Sequence, residues 1–217
     1  MKLVSIEASR VVSLTFLRPT RGQPFAVDVL TGVVRRYNFQ HFPERVPDLS
    51  NDSVSLSVGK WTSVQIDELS AYNDGMIVAA RSDTGLIDAF LDDLYDFVGK
   101  EFGVLKVPAP PEARHYESSL VVQMDKRVPA KFAFLNGLYE DLASFRSDYG
   151  HGDTEFVFGG LGAQSETIGA GGKRIMGFTF ERRLNAPFDA NYWFSSAPLK
   201  TSDHVAMLEN LEAQLLR

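Results

Sequence analysis

The clearest periodicity in the chain lies in "SDTGLIDAFLDDLYDFVGKEFG". Here Ile87, Phe90, Leu91, Leu94, Phe97 and Val98 recur at intervals of three and four residues. That spacing makes one apolar stripe on an α-helix. Asp83 or Thr84 is placed to cap its start and Gly103 to close it. A second helical period runs through "AKFAFLNGLYEDLASFR". Pro129 precedes it at the place of a first helical residue, where its missing N–H costs nothing. Phe132, Leu135, Leu138, Tyr139, Leu142 and Phe145 form its expected apolar face. The chain closes on "DHVAMLENLEAQLL", with Leu208, Leu211 and Leu215 on one face and Asp203 as the expected N-cap.

Other segments read as strands. "RVVSLTFL" (10–17) and "FAVDVLTGVVRRYNF" (25–39) are rich in β-branched and aromatic residues. Thr31-Gly32 inside the second run suggests a turn or a bulge. "PDLSNDSVSLSV" reads as a loop leading into a strand, and "GMIVAAR" (75–81) follows the turn signal Asn73-Asp74-Gly75. Further along, "SSLVVQM" (118–124), "TEFVF" and "RIMGFTFERR" have strand character, and "NYWFSS" is placed to pair with the last of these across "LNAPFDA". Strands in runs rather than in regular alternation with helices indicate an α+β fold with mostly antiparallel sheet and about three helices. The expected order is ββββα, linker, βαβββα. The linker is "VPAPPEA" (107–113), polyproline-like in composition. It would separate an N-terminal half (1–106) from a C-terminal half (114–217), or form a stiff loop inside one continuous domain.

Composition narrows the field. Phenylalanine is abundant, at 16 of 217 residues, so a core built on rings is expected. The chain has no cysteine, which excludes disulfides, thiolate metal sites and cysteine nucleophiles. Glu7 and Arg10 interrupt the N-terminal apolar run, unlike the core of a signal peptide, and no stretch has the apolar length of a membrane helix. A cytoplasmic location is the expectation. A net charge of −6 argues against duplex nucleic acid as the partner.

The stretch with the most suggestive chemistry is the glycine-rich "GGLGAQSETIGAGGKR". A phosphate-binding P-loop needs Gly, four residues and Gly-Lys-Ser/Thr, with a helix immediately after. Here Arg174 follows Gly172-Lys173, Thr167 stands where the first glycine belongs, and the residues beyond alternate as a strand does. The dinucleotide fingerprint fails in the same way, with Ser165 in place of its third glycine. A hairpin loop is the plain reading. If it takes a ligand, that ligand is a small anion held by Lys173 and Arg174 with Arg182 and His151 nearby.

Other candidates are bland. Asp88, Asp92 and Asp96 share one helical face, but Lys100 continues the row, as on a solvated surface. His151 and Asp153 have no second histidine at ligand spacing. Ser195 and Ser196 precede Asp203 and His204 without the strand-turn-helix geometry that exposes a catalytic serine. No metal or cofactor is implied. Tyr192 and Trp193 beside Arg183, together with Leu211 on the last helix, suit either a protein–protein interface or a core with polar tips. The expectation is a non-catalytic binding or assembly protein, homo-oligomeric, acting through protein contacts. The alternative is an enzyme or sensor for a small, nucleotide-like anion at 159–174.

Overall fold

A computed structural model describes residues 1–19, 27–43, 53–72, 74–150, 155–164 and 177–217, leaving aside the side chains of 16, 17, 19 and 106–113. The elements are β1 (Lys2–Pro19), α1 (Val27–Tyr37), β2 (Ser53–Trp61), β3 (Val64–Tyr72), β4 (Gly75–Ala80), α2 (Thr84–Phe102) and β5 (Val104–Gln123), then α3 (Asn136–Asp148), β6 (Gly160–Ala163), β7 (Phe178–Arg182), β8 (Tyr192–Ala197) and α4 (Thr201–Leu215). The fold is α+β with mostly antiparallel sheet, as the segment pattern indicates. Two compact units are present. The N-terminal unit comprises Ile6–Ser119 and Pro198–Asp203, and the C-terminal unit comprises Met1–Ser5, Leu120–Ala197 and His204–Arg217. Strand order is β2-β3-β4-β1-β5 in the first and β5-β8-β7-β6 in the second. The proline-rich 107–113 segment lies within β5. Polyproline and β backbones occupy neighbouring dihedral regions, so its composition suits either.

In the N-terminal unit, α2 follows its stripe. Ile87, Phe90, Leu91, Leu94 and Val98 are buried, and Tyr95 joins them. The Asp83 side chain accepts from the Gly85 N–H, and Gly103 closes the helix in the left-handed region at φ 64°. The 25–39 segment corrects the strand expectation, because 27–37 is helix α1. Val29, Leu30, Val33, Val34 and Tyr37 recur at helical spacing and pack on the core. Here burial of that stripe outweighs β-branched propensity. Gly32 is neither turn nor bulge: a Cβ there would run into the Phe102 ring, so glycine permits close packing. Strand β3 was not anticipated either. It pairs with β2 from Trp61↔Val64, across a turn in which Thr62 adopts φ 53° without a glycine or asparagine signal.

Aromatic rings fill this core. Phe90 meets Tyr37 and Trp61 edge-on at 5.0 and 6.1 Å. The Tyr37 hydroxyl donates to Asp93 at 2.7 Å, and Arg36 donates to the same carboxylate at 2.9 Å. Burial works to raise the Asp93 pKa, but the Arg36 and Tyr37 hydrogen bonds outweigh it and leave the carboxyl below its ordinary value. A depressed folded-state pKa stabilises the fold above the ordinary carboxylate range, and that contribution is lost as pH falls through the folded value. Asp93→Asn should therefore lower the urea midpoint at pH 6 and flatten its decline toward pH 3. Arg36 is largely in solvent, which screens the pair to about 1 kcal/mol. An unchanged pH profile would contradict this.

In the C-terminal unit, β7 and β8 form the expected hairpin, with Arg182 opposite Trp193. The strand preceding the glycine-rich segment is β6, at 160–163 rather than in "TEFVF", and it pairs antiparallel with β7. Residues 155–159 carry no strand, although the Gly159 carbonyl still accepts from Arg182 N at 2.8 Å. The expected helix after Pro129 begins as a 3₁₀ segment, Pro129–Leu135, before α3 proper. Helix α4 starts at Thr201, so Asp203 lies in its first turn and is not the cap. The Glu212 carboxylate, on the inner side of α4, accepts from Asp125 N at 2.7 Å and pairs with the Met1 amine.

Candidate functional site

The site grows from the turn between β7 and β8. A short 3₁₀ segment, Phe188–Ala190, delivers Asn191 in the left-handed conformation at φ 55°. Asparagine tolerates that region better than most residues. The Asn191 Nδ2 donates to the carbonyls of Met124 and Asp125 at 2.9 and 2.8 Å. Its Oδ1 accepts from Trp193 Nε1 at 3.0 Å and from Arg182 Nη1 at 2.8 Å. With its bonds committed on both sides, Asn191 fixes both partners.

Arg182 is thereby held rigid. Its guanidinium lies 4.4 Å from the Trp193 ring centroid and 4.9 Å from that of Phe188. Nη1 also donates to the Phe188 carbonyl at 3.3 Å. Nε is buried without a partner, and among the described residues this group makes no hydrogen bond from Nη2 and no carboxylate contact. Burial lowers the Arg182 pKa by stripping hydration from the cation, yet guanidinium stays charged at physiological pH.

Arg182 borders two clefts. One, of about 630 Å³, lies between the 155–158 segment and the inner side of α3, with Phe132, Phe156 and Phe158 in its wall. The other, of about 760 Å³, runs along Gly160–Gly162 toward Leu184. Arg182, Phe188, Glu155, Phe156 and Val157 line both. Glu140 lies in the first and Glu181 in the second.

Beside the first cleft stands α3, which buries none of its residues. Only Phe132, in the preceding 3₁₀ segment, reaches the core, stacked on Phe158 at 3.6 Å. Leu135 and Tyr139 are half-buried, and other large apolar side chains point outward: Phe134 is 78% exposed, Leu138 54%, Phe145 58% and Tyr149 73%. Residues 138, 142, 145 and 149 follow one another at helical spacing, so this is a continuous stripe.

The residues singled out in the sequence are dispersed. Lys173, Arg174 and His151 fall outside the described residues. Trp193, placed by the sequence either at an interface or in a core, is fully buried and stacked on Phe180 at 4.5 Å. Strand alternation turns it inward while Tyr192 and Phe194 stay half-buried. Arg183 lies 5.9 Å from the Phe194 ring, and Leu211 is half-buried on α4 beside the fully buried Leu208. The aspartate row is taken up by a residue distant in sequence. Arg114 donates to Asp88 at 2.6 Å and to Asp92 at 2.7 Å, while Lys100 pairs with Asp96 at 3.1 Å.

Ser195 and His204 do meet, at 2.9 Å. Both are fully buried, and the Ser195 hydroxyl donates to the Thr179 carbonyl at 2.8 Å. A serine whose proton is committed to a backbone carbonyl, with no solvent access, is a structural pair rather than a nucleophile and its base. Sequence reading missed Asn191 and Phe188. The available signal was "PFDAN", a turn that ends on a residue tolerant of the left-handed region.

No protein-family model matches the chain, and no curated protein is significantly similar to it in sequence. Among the described residues, no helix is long and apolar enough to cross a membrane.

Proposed function

We propose that this is a non-catalytic, cytoplasmic binding or assembly protein that works through protein–protein contacts and self-associates through α3. One observation carries the reading: a helix that buries nothing of its own leaves a continuous row of large apolar side chains in water. A short helix in water is marginal without tertiary support, so this stripe gains most from a partner. The row also suits a copy of itself. Phe134 and Tyr149, and likewise Leu138 and Phe145, are spaced symmetrically about the 141–142 peptide. An antiparallel copy related by a two-fold axis would set each ring against its counterpart. Asp141, beside that axis, would then face its own copy.

Light scattering coupled to size exclusion tests this directly. The wild-type chain should run as a multiple of its mass, and Leu138→Glu with Phe145→Glu should convert it to monomer. Both positions are exposed, so thermal stability should change by about 0.5 kcal/mol or less. Asp141→Asn should tighten the association. A monomeric wild type would sink the self-association reading.

A second reading, a sensor or enzyme for a small anionic ligand, is favoured by Arg182, whose buried Nε has no partner and which meets no carboxylate among the described residues. Glu140, Glu155 and Glu181 around the same clefts weigh against a nucleotide's several negative charges.

A further inference from the structure

We infer that the Arg182 clefts form a binding site for a monocarboxylate carried on an aromatic or branched apolar body. The inference deepens the ligand reading and is independent of the assembly reading.

Three observations converge. The first is the orphaned donor. A buried N–H without a partner is rare, and where one persists a missing hydrogen-bonding group is a standing explanation. Arg182 Nη1 is fully occupied by Asn191 Oδ1 and the Phe188 carbonyl. On the remaining edge Nε is buried and Nη2 is not, so Nη2 is the donor that a carboxylate meets first, and the forked pair with Nε completes as the ligand seats. The second is rigidity. Asn191 is tied to two backbone carbonyls, and the guanidinium lies against two rings, so the donors are aimed before any ligand arrives. A group ordered in advance loses little entropy on binding. The third is the wall. Phe132, Phe156, Val157, Phe158 and Phe188 surround the charge with apolar surface. A cleft of about 630 Å³ is the size that holds a small organic molecule.

Charge selects among anions. Arg182 shares the first cleft with Glu140 and Glu155, and the second with Arg183, Glu155 and Glu181. Neither cleft carries net positive charge, so a phosphate dianion is disfavoured more than a single carboxylate paired directly with a guanidinium. The apolar body then contributes what an inorganic anion cannot.

The test uses the whole chain and the Trp193 indole N–H resonance, since that N–H shares the Asn191 oxygen with Arg182. The probes are 3-phenylpropionate, its uncharged amide, inorganic phosphate, and a hexapeptide ending in a free C-terminal phenylalanine. The proposal expects a saturable shift with 3-phenylpropionate or with the peptide, at least tenfold weaker with the amide, and lost in Arg182→Gln. A response to the peptide alone would identify a protein C-terminus as the source of the carboxylate, and a response to the free acid would identify a small metabolite. Phe188→Ala, at an exposed position, should weaken the same shift and keeps the test open if Arg182→Gln misfolds. Equal shifts from acid and amide would overturn the proposal. So would phosphate binding as tightly as the acid, although the broader anion reading would survive that outcome. No shift with any probe would overturn both.

Discussion

Trp193→Ala should unfold the C-terminal unit at markedly lower denaturant, with a loss of about 3–5 kcal/mol. The indole is fully buried, parallel to Phe180 at 4.5 Å and tilted to Phe158 at 5.8 Å. Truncation removes its transfer free energy and leaves a cavity between the Phe180 and Phe158 rings. It also removes one face of the sandwich that holds the Arg182 guanidinium. Trp193→Phe separates these contributions. It keeps most of the ring stack and loses the N–H to Asn191, whose Oδ1 still accepts from Arg182, so its cost should be nearer 1 kcal/mol. Urea unfolding followed by circular dichroism measures both. A Trp193→Ala protein with a native midpoint but altered oligomeric mass would mean that the indole serves an interface, contrary to its burial. The comparison with Leu138→Glu and Phe145→Glu is informative because the expected outcomes are opposite. One residue stabilises the unit and leaves association alone, while the other two do the reverse.

Phe90→Ala should have an effect of similar size in the N-terminal unit, again about 3–5 kcal/mol. Phe90 is fully buried on α2 and meets both Tyr37 and Trp61 edge-on. Its loss would also loosen the position of Tyr37, whose hydroxyl donates to Asp93. Burial, reinforced by that hydrogen bond, holds the Tyr37 pKa far above its ordinary value. The variant should therefore bring Tyr37 ionisation toward its ordinary range as well as lower stability. Denaturant midpoint and tyrosine absorbance titration follow the two effects separately. A destabilised protein whose Tyr37 titrates as before would show that Phe90 packs without ordering its neighbour.

The sequence by itself determined the elements whose signals are local. Helix α2 was legible in stripe and in both ends, because Asp83 and Gly103 act on the backbone groups next to them. The β7–β8 hairpin was legible because alternation and a turn segment suffice to pair two neighbouring strands. Tertiary structure decided whatever depends on what lies opposite. Residues 27–37 are helical because a stripe of valines, Leu30 and Tyr37 finds a core to pack on, against their own propensity. Asp88 and Asp92 are a guanidinium's counter-ions because β5 brings Arg114 to them from 22 residues beyond Asp92, while Asp96 keeps the local pairing with Lys100. Trp193 is core because its strand turns it inward, and Arg182 is positioned by Asn191 and two rings and meets no carboxylate among the described residues. The α3 stripe was legible as apolar, but that Leu138, Leu142 and Phe145 lie exposed while Phe132 is buried was not. Helical periodicity fixes which residues share a face. Whether that face meets the same chain, another chain or water depends on long-range packing, which no local pattern encodes.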